Sequence, residues 1–295
     1  MSVTNQSVTV IVVNYNAGGL LEDCIRRVLS SSDVCEVHLV DNASTDDSLQ
    51  FLDQFHDERL QLRRLSKNIG LSSAINRVLP DCHSAFTLLL NPDCLITTGA
   101  LQRLLVALES AADIAMVGPL IQNPDGSEQR GCRRDLPTPM SALVRDFHLG
   151  FLGLQRFLQH WQNFDHTSQP VGKDPVVVEA ISGAFMLIKT ACFQDLQGMD
   201  SGFFLHCEDL DLCFRIRDAG RKILFVPTAV VIHAQGSCSV ENPRLIEYYK
   251  HRGMCRYYLK HFQGVGHRLL SLILIPAIWL RFVFKALYRG RDHGA

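Results

Sequence analysis

Phe86-Thr-Leu-Leu-Leu-Asn-Pro-Asp-Cys94 joins an apolar run, suited to a buried strand, directly to a polar turn. Pro92 lacks an N–H group and disfavours the α region for the residue before it, so the strand should stop near Asn91. The Asp93 carboxylate then lies at the carboxyl end of an apolar strand, where open α/β sheets bind their ligands. Asn-Pro and Pro-Asp are also common turn formers, so this stretch alone leaves a plain turn as the alternative.

The chain around this stretch alternates strands with helices. Apolar runs predict strands over 8–14, 37–41, 60–65 and 86–91. Helical spacing of apolar residues predicts helices over 20–29, about 47–55, about 71–79 and about 99–110. This alternation predicts an α/β fold with a doubly wound, mostly parallel, Rossmann-like sheet and right-handed crossovers.

Three polar loops should meet at one edge of that sheet, namely 14–16, 41–42 and 91–93. Such an edge favours a ligand crevice. The first strand is followed neither by GxGxxG nor by GxxxxGK[ST], which counts against a dinucleotide fingerprint and a P-loop. Asp41 could still accept hydrogen bonds from a ribose or base, with an Asx-turn as the alternative.

Composition bounds the class of protein. The 295 residues are 47% hydrophobic and 20% charged, as in a globular protein with a large core. A net charge of −1 gives no reason to expect a nucleic-acid partner. The ten cysteines form no CxxC pair and no signal peptide is evident, which predicts reduced thiols in a cytosol.

The second half contains two stretches suited to a site. Ser182-Gly-Ala184 places small residues within a strand, which permits close approach of a ligand or another backbone. Phe203-Phe-Leu-His-Cys-Glu-Asp209 places an acid pair behind two aromatic rings at a helix start. Acids there complement the helix dipole, but a carboxylate beside apolar rings also tends to have a raised pKa, which suits a general base.

Other polar residues allow two interpretations each. His233 ends a β-branched run and is either a buried structural histidine or a ligand at a strand end. The cluster Arg130, Arg133 and Arg134 is either a solvated face or a contact for phosphate or an acceptor sugar.

The C-terminus predicts a membrane-surface helix. Residues 269–280 are almost all apolar, and Arg281, Lys285 and Arg289 recur every four residues. The apolar run is shorter than the ~20 residues needed to span a bilayer, and Pro276 should kink it. A basic amphipathic helix is therefore expected on an anionic surface, with packing on the core or on a partner subunit as the alternative.

Together these motifs resemble the family 2 glycosyltransferases, and among them the bacterial rhamnosyltransferase-like members with the GT-A fold. The resemblance covers roughly residues 8–240. It rests on motifs that follow one another in order: VIVVNYN (10–16), VDNAS (40–44), NIG (68–70), LNPD (90–93), SGA (182–184) and EDLD (208–211).

The resemblance implies roles for individual residues. Asp209 would be the catalytic base, with Glu208 the next candidate. Asp93 and His233 would bind Mg²⁺ or Mn²⁺, His233 lying 24 residues past Asp209. Acceptor binding would fall to Ser182, Gly183 and Ala184. The nucleoside-diphosphate sugar would be held by Val13, Asn14, Tyr15, Asn16, Asp41, Asn68, Gly70, Asn91 and Asp93. Asn91 departs from the two-acid DxD motif of the family, so a lone carboxylate would need other ligands to complete the shell.

The expected activity is inverting transfer of one sugar, with rhamnose the candidate, to a lipid-linked or cell-envelope glycan. The expected layout is a GT-A domain over 1–240, with a nucleotide half of about 8–120 and an acceptor half of about 121–240. Residues 241–295 would form a helical extension that anchors a cytoplasmic, peripheral enzyme to the inner face of the membrane. A catalytically silent sugar-nucleotide-binding or scaffold protein is the alternative, and the oligomeric state is left open.

Overall fold

The computed structural model describes residues 8–146, 165–234 and 243–288. Its strands are β1 Val8–Asn14, β2 Val34–Asp41, β3 Leu60–Arg64, β4 Phe86–Leu90, β5 Cys94–Ile96, β6 Ile114–Gln122, β7 Arg133–Arg134, β8 Val176–Val178, β9 Ala180–Ile181, β10 Phe185–Lys189 and β11 Lys222–His233. Its helices are α1 Leu20–Leu29, α2 Leu71–Asn76, α3 Ala100–Glu109, α4 Pro139–Asp146, α5 Thr190–Asp195, α6 Glu208–Asp218, α7 Pro243–His261 and α8 Val265–Tyr288.

The main sheet confirms the predicted α/β class. Its strand order is β3-β2-β1-β4-β10-β6-β11-β5, with β8 paired to β11. The first four strands of this order are parallel, whereas β10 runs antiparallel between β4 and β6. β1 is buried along its whole length, as expected of a strand covered on both faces. The sheet therefore brings the ends of β1, β2 and β4 to one edge.

Two predicted helices differ from the structure. Over 47–55 only a 3₁₀ segment, Gln50–Asp53, forms. The Asp46 carboxylate accepts bonds from the backbone N and the hydroxyl of Ser48, and such local bonds compete with a helix. The helix predicted to reach residue 79 ends at Asn76, and a separate 3₁₀ turn, Leu79–Asp81, contains Pro80.

The C-terminal helices pack on the sheet domain. Cys255, Tyr257, Tyr258, Leu274 and Ile278 belong to the same apolar cluster as the core of that domain. Polar contacts add to this packing, since the fully buried Asp211 carboxylate of α6 accepts bonds from α7. Lys260 Nζ lies 2.6 Å and His261 Nε2 2.7 Å from Asp211 Oδ1. The sheet domain and the extension share one core.

The C-terminal apolar run, residues 269–280, forms part of a longer helix. α8 has 24 residues, and its segment Val265–Lys285 is long and apolar enough to cross a membrane by length and composition. The helix continues on both sides of the apolar run. Pro276 lies inside the helix and does not end it. Arg289, counted in the predicted basic stripe, lies outside the described residues.

Candidate active site

A cleft of about 1690 Å³ opens at the carboxyl ends of β1 and β4, and residues of α7 and α8 form its far side. Most of the predicted site residues line it: Val13, Tyr15, Asn68, Gly70, Asn91, Asp93, Ser182, Gly183, Ala184, Glu208, Asp209 and His233. Asn14, Asn16 and Asp41 are not among its lining residues. The structure thus brings the two halves of the chain to one cavity.

Asn14 and Asp41 lie beneath the cleft and join the first two strands. The Asn14 amide nitrogen is 3.1 Å from Asp41 Oδ1, 2.9 Å from Ser44 Oγ and 2.8 Å from Ser48 Oγ. Asn16 Oδ1 accepts from the backbone N of Thr45 at 2.8 Å. These bonds fix the loop after β2 against the loop after β1. Their direct contact with a nucleotide stays a prediction.

Asn42 also lines the cleft and joins two of its loops, although no role was predicted for it. Its side chain donates to Asn68 Oδ1 at 2.9 Å and accepts from the backbone N of Ile69 at 2.9 Å. Gly70 follows with φ of 84°, and a Cβ there would lie 2.7 Å from the carbonyl oxygen of Phe204. Because Gly70 has no side chain, the loop before α6 can pack directly against Gly70.

Asp93 and His233 form the candidate metal centre. His233 Nε2 is 3.0 Å from Asp93 Oδ1, and both side chains are at least nine-tenths buried. His233 Nδ1 is 2.6 Å from Gln129 Oε1, which can only accept a proton, so Nδ1 carries the hydrogen. The Nε2 atom and the Asp93 carboxylate then face each other, and a neutral imidazole and a carboxylate placed in this way are a pair of ligands suited to a divalent cation.

Two neighbours complete this centre. Cys94 Sγ lies within 4.8 Å of the ligand atoms of Asp93 and His233. Asn91 Nδ2 is 3.4 Å from His233 Nε2. Carboxylate oxygens suit Mg²⁺ or Mn²⁺, whereas imidazole is a common ligand of transition metals. The residues present therefore fit a divalent ion.

Asp209 lies in the first turn of α6, and its carboxylate is held from three directions. Its Oδ2 accepts from the guanidinium of Arg134 and from the backbone N of Gly183 at 3.3 Å. Its Oδ1 accepts from the backbone N of Leu210 at 2.8 Å. The missing side chain of Gly183 permits this approach, because a Cβ there would be 3.0 Å from Asp209 Cβ. Arg134 of the predicted arginine cluster therefore pairs with the Asp209 carboxylate, which is neither the solvated face nor the phosphate or sugar contact expected from the sequence.

Glu208 is the carboxyl with the raised pKa. Burial, followed by the adjacent charge of Asp209, raises the pKa of Glu208 to about 8. Its Oε2 is buried and has no hydrogen-bond partner among the described residues. Glu208 therefore holds a proton at neutral pH, whereas its neighbour has a cationic partner in Arg134. The two adjacent acids are differentiated by their surroundings.

The far side of the cleft was not anticipated from the sequence. The ring of Phe204 stacks on Tyr249 of α7, with centroids 4.2 Å apart and planes 14° apart. Lys250 of α7 and Arg281 and Lys285 of α8 also line the cleft. The predicted basic stripe gave a partial signal for Arg281 and Lys285, but it was interpreted as a contact with a membrane, with the protein core or with a partner subunit, and not as part of a cleft.

Comparisons with known proteins identify relatives across most of the chain. Residues 9–192 match the sequence family described as Glycosyl transferase family 2. An N-acetylglucosaminyl-diphospho-decaprenol L-rhamnosyltransferase of Mycobacterium tuberculosis is 27% identical, over 79% of this chain and 78% of that protein. Rhamnosyltransferase WbbL of Escherichia coli is 42% identical, but over 19% of this chain and 22% of that protein.

Among solved structures, a mannosyltransferase from Pyrobaculum calidifontis in complex with GDP-Man and Mn²⁺ covers 98% of this chain and 76% of its own. The TM-score is 0.58 at 15% identity. TarS 1-349 of S. aureus in complex with UDP-GlcNAc covers 91% of this chain and 70% of its own, with a TM-score of 0.54 at 14% identity. These similarities show the GT-A fold.

Proposed function

The chain belongs to glycosyl transferase family 2 and is a glycosyltransferase, and from this premise we propose that it moves a single sugar, with rhamnose the candidate, from a nucleoside diphosphate to a lipid-linked glycan. The acceptor class is supported by the named activity of the mycobacterial relative. We infer that the enzyme acts in the cytoplasm, at the inner face of the membrane. The donor would occupy the half over about 8–120, the acceptor the half over about 121–240, and residues 241–295 would contact the membrane.

The donor would lie along the wall formed by Val13, Tyr15, Asn68 and Gly70, above the loop that Asn14 and Asp41 hold in place. Asp93 and His233 would hold the divalent ion, as the two facing acceptor atoms suggest. When bound, such an ion would neutralise charge on the departing diphosphate. Gln129 would keep the His233 imidazole in the tautomer that leaves Nε2 available.

Asp209 would act as the base. Its Oδ2 accepts from the guanidinium of Arg134 and from the backbone N of Gly183, contacts that would hold the carboxylate in place at the cleft. The proton of the acceptor hydroxyl would pass to Asp209, the hydroxyl oxygen would bond to the anomeric carbon, and the bond to the nucleoside diphosphate would break. A single displacement inverts the configuration at that carbon. Glu208, which holds its own proton, would be the poorer base at neutral pH.

The observation that carries this proposal is that Asp209 and the Asp93–His233 pair line the same cleft. The test begins with a panel of nucleotide sugars screened for protection against thermal unfolding, because a ligand that binds the native state raises its apparent stability. The protecting sugar is then supplied with extracted lipid-linked glycans, and transfer is measured.

The variant Asp209→Asn should retain donor protection and lose ~10²–10⁴-fold in turnover. Asp218→Asn, at the exposed end of the same helix, is the matched control and should be unaffected. Near-normal turnover of Asp209→Asn would transfer the role to Glu208. Donor protection without transfer by the native chain would instead indicate a sugar-nucleotide-binding protein.

A further inference from the structure

His206 lines the cleft, and the mechanism above gives it no part. It lies on the loop before α6, three residues ahead of Asp209. The Nε2 atom of its imidazole is buried and has no hydrogen-bond partner within residues 8–146, 165–234 and 243–288. Leaving a buried polar atom unpaired is costly, so a ring nitrogen in this state on a cleft wall indicates a group that enters the cleft and pairs with it.

Buried side-chain atoms of this kind are concentrated at the cleft. Of the seven in the part of the chain that the structure describes, four belong to residues that line it: Arg134, His206, Glu208 and Tyr257. Arg134 is bonded to Asp209 and Glu208 precedes it, so most of the four lie around the proposed base. A folded domain satisfies almost all of its buried polar groups, and their concentration at one wall therefore indicates a polar ligand.

The backbone of the same loop is strained. His206 and Cys207 have φ of 68° and 67°, a left-handed conformation that is unfavourable for residues other than glycine. Two contacts hold the loop in place. A Cβ at Gly253 of α7 would lie only 2.6 Å from the carbonyl oxygen of His206, and the backbone N of Leu71 donates to the carbonyl oxygen of Phe204 at 2.8 Å. Backbone strain persists where the surroundings over-determine it, and it clusters at ligand sites.

The chemistry of the ring suits a hydroxyl group. Burial lowers the pKa of His206 and the nearby charge of Lys250 lowers it further, against a smaller opposing effect of Asp209, so the imidazole is neutral at pH 7. A neutral imidazole offers one N–H donor and one lone pair, and a hydroxyl can pair with either. A phosphate or a carboxylate would favour the protonated ring, which burial opposes.

Two other roles for His206 fit the structure less well. A structural histidine would bond to protein groups, whereas Nε2 bonds to none of the described ones. A metal-binding histidine would need further donors around it. Within the described residues, the group of side chains that could hold an ion consists of Asp93, Cys94 and His233, and it does not include His206.

Building on the proposed function, we propose that His206 is a specificity-determining residue, which hydrogen-bonds a hydroxyl of the acceptor sugar other than the hydroxyl that attacks the donor. The attacking hydroxyl would meet the Asp209 carboxylate, so the two side chains would hold one sugar ring at two points. The bond to His206 fixes the orientation of that ring. It thereby selects which hydroxyl meets Asp209 and which linkage is made.

The first measurement needs no variant. Methyl β-glycosides of glucose, galactose, mannose and N-acetylglucosamine are titrated with the full chain by ligand-observed NMR, in a neutral detergent that has no sugar head group. The tightest binder is then compared with its monodeoxy derivatives. Removal of the hydroxyl that meets His206 should weaken binding ~3–10-fold, the usual effect of one hydrogen bond. A native chain that binds none of the four glycosides would overturn the proposal.

The second measurement repeats these titrations with His206→Phe, which keeps a planar ring and removes both nitrogens. This variant should bind the parent glycoside ~3–10-fold more weakly, and loss of the critical hydroxyl should then cost it nothing further. His206→Asn tolerates a positive φ and keeps a donor and an acceptor, so it should restore part of the affinity. His56→Phe is the matched control, because His56 is exposed and does not line the cleft.

If each monodeoxy derivative loses the same factor with the native chain and with His206→Phe, the imidazole meets only water, and the proposal is overturned. Equal weakening by His56→Phe would overturn it as well. Donor protection against thermal unfolding verifies that His206→Phe is folded. Should that variant not fold, the comparison is made with His206→Asn, for which the critical hydroxyl should contribute less than it does for the native chain.

These titrations are independent of turnover. If binding depends jointly on His206 and one hydroxyl but no sugar is transferred, the proposed function fails and the hydroxyl contact stands. If the native chain transfers sugar and His206→Phe binds every glycoside as the native chain does, only the role of His206 is rejected.

Discussion

At the scale of single residues, the buried Glu208 makes stability depend on pH. Its pKa is raised from 4.5 to about 8 by burial and by Asp209. The native state keeps this proton over a range where the unfolded chain loses it, so the contribution is complete below pH 4.5 and is lost as the pH rises toward about 8. Glu208→Gln removes this dependence.

Thermal unfolding should therefore show the Tm of Glu208→Gln increasing relative to the native chain between pH 5 and pH 8. Glu58→Gln, at an exposed carboxylate, serves as the control and should show no such trend. The same Tm difference for Glu208→Gln at both pH values would mean that the side chain is ionised in the folded protein.

Gln129 offers a second prediction at this scale, because it holds the imidazole of His233. Gln129→Leu should weaken Mn²⁺ binding 10–100-fold in the presence of UDP, the usual effect of losing the partner of a ligating histidine. Electron paramagnetic resonance of free Mn²⁺ measures this without reference to activity. Gln54→Leu, at an exposed glutamine, is the control. Unchanged affinity in Gln129→Leu would argue against His233 as a ligand.

At the scale of elements, the loop at Gly70 and the loop before α6 contact each other at one side of the cleft, the side proposed to hold the donor. Gly70→Ala places a methyl group 2.7 Å from the carbonyl oxygen of Phe204 and imposes a positive φ on alanine. The φ penalty alone is ~1–2 kcal/mol, and the contact should add to it. Urea denaturation should show a loss of more than that amount, with weakened donor protection.

Gly126→Ala separates the cost of the positive φ from the cost of the steric contact, because Gly126 has φ of 83° and no atom within 4 Å of the added Cβ. If Gly70→Ala lowers the free energy of unfolding no more than Gly126→Ala does, the loop moves to accommodate the methyl group.

The same elements show what could be predicted from sequence. β1, β2 and β4 are apolar runs ended by polar residues, so their existence and the shared edge follow from local chemistry. The 3₁₀ segment at Gln50–Asp53 was missed because side-chain bonds within its loop outweigh a helical pattern. The pairs Arg134–Asp209 and Gln129–His233 join residues 75 and 104 positions apart, and no local pattern signals such contacts.

At the scale of the whole molecule, the exposed face of α8 forms an apolar surface on the protein. Leu272 and Ile273 are 72% and 59% exposed, whereas Leu274 beside them packs on the core. The helix therefore lies against the protein, which suits docking in the plane of a bilayer. Leu272→Glu with Ile273→Glu should lower sedimentation with phosphatidylglycerol vesicles at least about tenfold, since each buried apolar side chain contributes ~1.5–3 kcal/mol.

Val106→Glu is the control for that experiment, because Val106 on α3 is 64% exposed and lies on another element. Equal vesicle binding by the double variant and the native chain would mean that α8 does not contact lipid. An equal loss in Val106→Glu would point to net charge rather than to a docking face.

The bonds from α7 to the buried Asp211 of α6 limit how this protein could be recombined with its relatives. A chimaera that takes residues 241–295 from another family member would leave Asp211 without Lys260 and His261, unless the donor supplies equivalents. Arg215 of α6 would still pair with Asp211, so the cost should be smaller than the ~3–5 kcal/mol of a buried charge left without any partner, but it would remain a noticeable share of the stability of a typical domain. A workable crossover point therefore lies ahead of Asp211, so that the helix bearing the acid pair is exchanged together with α7 and α8.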